Sequence, residues 1–296
     1  MKSKSLSVGV ALTLILAVTQ VAEAKNGVFF KNSSLGAVSS PLTNILRRAD
    51  LRQFDDQSAS SNNLQYNGGP IMSKVKMVAV TWGAGVDPVT VSKIGPFFSA
   101  IANSTMMDML TEYNTPTQTI GHGTFESLVQ ISPKNKSKSL SDSDIQKELT
   151  AQIASKALPA TDADTMYMIY FPAGFRISLD GITSCQDFCA YHNNTSQNVI
   201  YGVMPDVNHD GCETGCGGNA EPFANTTGVT SHEFIEAVTD PLPSAQGAWQ
   251  SPDGSEIGDL CVAQPTNLVA GNITYTIQQE YDNSISSCSP GPFATP

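Results

Sequence analysis

No lysine or arginine occurs after Arg176, so residues 177–296 contain no side chain with a fixed positive charge. No cysteine occurs before Cys185, and beyond the first 24 residues no apolar run is long enough to span a bilayer. The chain has two tryptophans and four histidines among 296 residues, and its formal net charge is −11. An acidic chain without a basic face is excluded from binding along a phosphate backbone, so nucleic acid is not an expected partner. A hydrophobic content of 40% excludes the disordered class. The length suits one large domain or two small ones.

What is present begins with an export signal. Lys2 and Lys4 form a charged start, Val8 to Ala22 is mostly apolar, and Ala22-Glu23-Ala24 has the small-x-small form of a cleavage site. The expected organisation is a signal peptide over 1–24, a polar extension or pro-segment over 25–63, and a single domain over 64–296. The product is expected to be secreted or periplasmic, with no membrane attachment after cleavage. Export permits disulfides, and the six cysteines are Cys185, Cys189, Cys212, Cys216, Cys261 and Cys288. Two pairs share the spacing C-x3-C. The expected bridges are the two local pairs, Cys185–Cys189 and Cys212–Cys216, plus Cys261–Cys288. The competing reading is a zinc site built from C-x3-C and His192.

Hydrophobic periodicity predicts the elements. A short helix is expected over 41–54. Strands are expected over 74–82, within 117–131, and over 165–171, 198–204 and 273–278. Helical patterning runs over 88–113, with Gly95-Pro96 as a candidate break. Another helix is expected over 141–157, with Ser141 as its N-cap and Ile145, Leu149 and Ile153 on one face. The last is expected over 227–239, stopped before Pro241. Strands alternating with helices predict an α/β fold: one compact domain with a mixed, partly parallel sheet and a loop-rich, disulfide-stapled C-terminal half.

The sharpest motif is Ser231-His232-Glu233-Phe234-Ile235-Glu236. On a helix His232 and Glu236 share one face, while Phe234 and Val238 fall opposite and can pack inward. This is the layout of the zincin helix H-E-x-x-H with glutamate as the second ligand, a chemically allowed replacement. Glu233 then stands where a general base for a metal-bound water belongs. The implied chemistry is zinc-assisted hydrolysis of a peptide or related acyl bond. A catalytic zinc needs a third protein ligand, for which Glu256 and Asp259 are the candidates. Asp240 is expected as a helix cap or an outer partner of the ligands. His192 could reach the metal, act as a proton donor, or be structural. Asp206, Asn208 and Asp210 resemble half of a calcium loop, but the position where an EF-hand needs glutamate is Gly217. Trp249 could contact sugar or simply pack, and nothing in the sequence places Tyr281 near the helix.

These pieces together resemble the EXORDIUM / phosphate-induced protein 1 family of secreted plant proteins with microbial relatives. The matching residues are Tyr66-Asn67-Gly68-Gly69-Pro70 before the strand ending Trp82-Gly83, and Cys185-x3-Cys189 with His192. They continue with Cys212-x3-Cys216 and Pro222-Phe223, the His232–Glu236 helix with Asp240-Pro241, and Trp249. Glu256-Ile257-Gly258-Asp259-Leu260-Cys261 and Cys288 complete the set. The resemblance implies export, disulfides and an extracellular or wall-associated role. Some plant members lack the histidine–glutamate pattern, so it does not by itself imply catalysis. The rival to a hydrolase acting on peptide or protein is a non-enzymatic protein that binds an extracellular polymer.

Overall fold

The computed structural model describes residues 45–47, 63–216 and 219–296. The expected signal peptide and most of the polar extension lie outside the described residues.

Six strands form the main sheet: β1 (Ile45–Arg47), β2 (Lys76–Thr81), β3 (Thr124–Gln130), β4 (Thr165–Tyr170), β5 (Phe188–Asn194) and β6 (Ile200–Met204). Their order is β1-β5-β6-β4-β2-β3. The four strands from β6 to β3 are parallel, while β5 runs antiparallel to β6 and to β1. The fold is therefore α/β with a mixed, partly parallel sheet. Sheets of this kind are covered on both faces, which explains the near-continuous apolar runs of β2 and β4.

The two faces can be read from strand alternation. Met77, Ala79, Met166 and Met168 point to one core; Val78, Val80, Tyr167 and Ile169 point to the other. The first core is covered by α1 (Pro88–Ile101) and α3 (Pro222–Thr239), and the second by α2 (Asp142–Ala154). Gly202 of β6 lets the first layer close, since a Cβ there would lie 2.4 Å from Met168 Sδ.

Local chemistry sets the helix ends. Asp87 caps α1 by accepting from Thr90 N–H. The helix passes through Gly95-Pro96 and stops at Ile101, so the candidate break is displaced. The buried ring pair Phe97 and Phe98 holds this stretch helical, and a Cβ at Gly95 would lie 2.8 Å from the Phe125 ring. At α2, Ser141 and Asp144 form a reciprocal capping box. Replacing Ser141 by alanine is expected to cost about 1 kcal/mol. The check is a lower urea midpoint with an unchanged slope.

The expected helix over 41–54 is corrected: its described part is strand β1, paired with Tyr191, Ala190 and Phe188 of β5. An open edge on β5 offers unmet backbone donors and acceptors, and these outweigh a weak local helical preference.

Beyond the sheet, β7 (Pro265–Ala270) and β8 (Ile273–Gln278) form an antiparallel hairpin, and β8 packs along α3. All six cysteines are bridged, as Cys185–Cys212, Cys189–Cys216 and Cys261–Cys288. The last bridge is as expected. The two local bridges are not formed, and the C-x3-C zinc reading falls with them. Cys185 sits in the turn before β5, its N–H donating to Phe188 O, while Cys189 lies on β5 itself. The two segments instead cross-link, with Cα separations of 4.3 and 5.4 Å.

Candidate metal centre

Pro222 opens α3 at a position where its missing N–H costs nothing. From Val229 to Asp240 every residue of this helix and its cap is buried. One side packs inward: Phe234 lies 6.1 Å from the Phe98 ring, with Ile235 and Val238 beside it in the core. The other side presents His232, Glu233 and Glu236, all with no exposed surface. An amphipathic helix normally turns charged groups to water. Here β5, β8 and the loop 256–261 cover them.

Each covering element adds polar groups. Strand β5 contributes His192, whose Nδ1 lies 3.4 Å from Glu233 Oε2 and 3.5 Å from Glu236 Oε2. On its other side His192 Nε2 is 3.1 Å from the Asp240 carbonyl and 3.5 Å from Glu256 Oε1. The loop brings Asp259, whose backbone N–H donates to Glu236 Oε1 at 3.1 Å. The Asp259 carboxylate accepts from Glu256 N–H at 3.1 Å, tightening the turn. Gly258 has to be glycine for reasons of space, because a Cβ would sit 2.6 Å from His232 Nδ1 and 3.0 Å from Glu236 Oε1. From β8, the Gln278 amide donates to Gly258 O and lies against His232 Nδ1, each at 2.9 Å. Two residues on, Glu280 is buried beside the cluster.

Two groups of donor atoms converge to within 4.8 Å of one another: His232, Glu236 and Asp259 form one, and His192, Glu233 and Glu236 form the other. His232 Nε2 and Glu236 Oε1 are 3.1 Å apart, yet no aligned hydrogen bond joins them. Glu233 Oε1, Glu236 Oε2 and both carboxylate oxygens of Glu256 and Glu280 are buried without a hydrogen-bond donor. Buried polar groups are normally satisfied, so such a gathering of unmatched acceptors needs a positive partner. The donor set suits zinc, which takes imidazole nitrogen and carboxylate oxygen.

The same geometry displaces the ionisation of each group. Burial opposes charge on His192, but Glu233 and Glu236 outweigh it and hold the imidazole up to about 10. Burial likewise opposes charge on His232, which Glu236 nonetheless raises well above the ordinary range. Burial pushes Glu233, Glu256 and Glu280 up. It also lifts Asp240 to about 7, against donation from Ala248 N–H. Glu236 is the exception: burial acts against it too, but His232 and then His192 bring it down to about 2.

The structure places His232, Glu236 and Asp259 together, and Glu256 on the far side of His192. Asp240 is the C-cap residue of α3; its carboxylate accepts from Ala248 N–H and the Gln250 amide. His192 belongs to the cluster. Gln278 and Glu280 escaped the sequence reading; the one signal for Glu280 was an acid in a stretch without counter-charges. Asp206, Asn208 and Asp210 are not among the convergent donor groups of the described residues. Asp206 accepts from Asn208 N–H and faces His209, and the Asn208 side chain bonds Thr226 and Asn225. Trp249 packs on Tyr66 and Tyr113, and the Tyr281 hydroxyl reaches Asn63. Compared with models of known families, with curated proteins and with solved structures, the chain matches none.

Proposed function

We propose that this protein is a secreted zinc-dependent hydrolase of the EXORDIUM-like type that cleaves peptide or related acyl bonds. The observation that carries this reading is the convergence of His232, Glu236 and Asp259 on one point, beside Glu233 on the same helix. His232, Glu236 and Asp259 are the ligands, and bound zinc would supply an acidified water and polarise the scissile carbonyl. Glu233, with Oε1 accepting no hydrogen bond, is the general base. Asp259 is preferred to Glu256 as the third ligand because Glu256 lies against His192 Nε2.

A metal held by His232 Nε2 would leave the ring's remaining proton on Nδ1, where the Gln278 side chain lies at 2.9 Å. A cleft of about 390 Å³ is lined by Gly228, Val229, Thr276, Ile277 and Gln278 among others, and Gln278 is the residue it shares with the cluster. It is the substrate's approach to the buried cluster.

Three bridged cysteine pairs support export. Among the described residues no helix is long and apolar enough to cross a membrane.

One observation favours a second reading. His192, His232, Glu233, Glu236 and Glu256 have no exposed surface, as in a closed structural metal site. The protein would then bind an extracellular polymer without cleaving it. Glu233→Gln separates the two. As a hydrolase the variant keeps the zinc held by His232, Glu236 and Asp259 and loses at least about 100-fold in peptide cleavage. Wild-type protein that holds zinc and cleaves no member of a diverse peptide library would instead support the structural reading.

A further inference from the structure

Resting on the reading of His232, Glu236 and Asp259 as a metal seat, we propose that the centre holds two cations, the second seated by His192, Glu233 and Glu236 and linked to the first through the Glu236 carboxylate. The two convergent groups share only Glu236, and they use different oxygens of it: Oε1 faces His232, and Oε2 faces His192. A carboxylate placed between two nitrogen ligands in this way is a bridge.

The spacing around His192 is that of a coordination shell. Its Nδ1 stands 3.4 and 3.5 Å from the two carboxylate oxygens. That is long for a charge-assisted hydrogen bond, which falls near 2.8 Å. It agrees with the edge of a tetrahedron whose centre lies about 2.0–2.1 Å from each corner, an edge of roughly 3.3 Å.

The imidazole is also set in the required tautomer. Nε2–H donates to the Asp240 carbonyl at 3.1 Å, with Glu256 Oε1 close by, so in the neutral ring the Nδ1 lone pair faces the two carboxylates. An N–H held by a backbone carbonyl is the common outer support of a metal-bound histidine. His192 needs no turn of its ring to present Nδ1 to a cation.

Charge points the same way. Glu233, Glu236, Asp240, Glu256 and Glu280 are buried around two imidazoles, in a half of the chain with no lysine or arginine. Glu256 and Glu280 are fully buried, with both oxygens lacking a donor. Were all five ionised, one divalent ion would match two of the charges and two ions four.

The test is cobalt(II) titration of the chelator-stripped, full disulfide-bonded protein, followed by the cobalt d–d absorption and by electron paramagnetic resonance. The expected result is saturation at two equivalents, with spin coupling between bridged ions. His192→Gln should saturate at one equivalent with no coupling, and Glu236→Gln should lose both seats. Saturation at one equivalent in the wild type, unchanged in His192→Gln, overturns the second seat and leaves the first standing. No uptake by the wild type overturns both. Should His192→Gln fail to fold, the number of equivalents and the coupling in the wild type alone decide between one seat and two.

Discussion

Treatment with a chelator is expected to lower the thermal midpoint of this protein by roughly 10 °C at pH 8, and by much less at pH 5. A ligand held about 1,000-fold above its Kd stabilises by about 4 kcal/mol. For a chain of this size each kcal/mol moves the midpoint by about 2–4 °C. The pH dependence follows from the cluster. In the metal-free protein burial raises Glu233, Glu256 and Glu280, and lifts Asp240 to about 7. Above the carboxylate range of the unfolded chain, near pH 4, the folded state therefore holds protons that the unfolded state has lost. Stability must fall as pH rises through 7.

The histidines act in the same direction. Their contribution is complete below about 6.5, the unfolded value, and fades as pH climbs toward about 10, the folded value of His192. Glu236, held down to about 2, has the opposite sign, but its contribution is lost only as pH falls from the ordinary carboxylate range toward 2. Between pH 5 and 8 the metal-free protein therefore weakens steadily. The metal competes with protons for the same atoms, and its advantage grows over that interval. Scanning calorimetry at pH 5, 6, 7 and 8, with and without a chelator, measures both effects. An absent chelator effect at every pH refutes the metal centre. A metal-free protein that gains stability between pH 5 and 8 refutes the buried, protonated cluster.

Deleting the Cys189–Cys216 bridge by double substitution with alanine is the second large effect. The bridge closes a loop with a sequence separation of 27 residues and ties β5 to the helical turn Glu213–Cys216. In the chain-entropy account such a loop contributes about 3–4 kcal/mol, or roughly 10 °C. Cys189 is three residues from His192 on β5, so the variant is also expected to bind its second cobalt more weakly than its first. Connectivity is checked by peptide mapping without reductant. Trypsin is useless here, because nothing after Arg176 is a substrate. Cleavage at Asp206 lies between the members of each crossed pair. The fragments on either side must stay joined until reduced, whereas local C-x3-C bridges would let them separate. An unchanged midpoint in the double variant would show that β5 is held by packing alone.

Much of this architecture was legible in the chain. Strand β8 falls where alternation placed it, at Ile273–Gln278, and Ser141 caps α2 as its position before an i, i+4 apolar row implies. The His232–Glu236 face of α3 is a matter of 3.6 residues per turn and needs no neighbours. What local pattern misjudged, long-range contact explains. Gly95-Pro96 did not break α1, because the Phe97–Phe98 rings are locked against the sheet side of the core. Ile45–Arg47 became a strand because β5 offered an edge.

The sequence by itself determined the α/β alternation, the shared helix face of His232 and Glu236, and the lack of any basic residue to neutralise fourteen acids after Arg176. Those are properties of composition and short-range periodicity. Only the tertiary structure decided which acids matter. It brought His192 from β5 and Glu280 from just past β8 onto α3, put Asp259 on the His232 side and Glu256 on the other, and crossed the cysteine pairs. Each of these outcomes depends on how elements tens of residues apart dock in the core, and a local pattern carries no record of that docking.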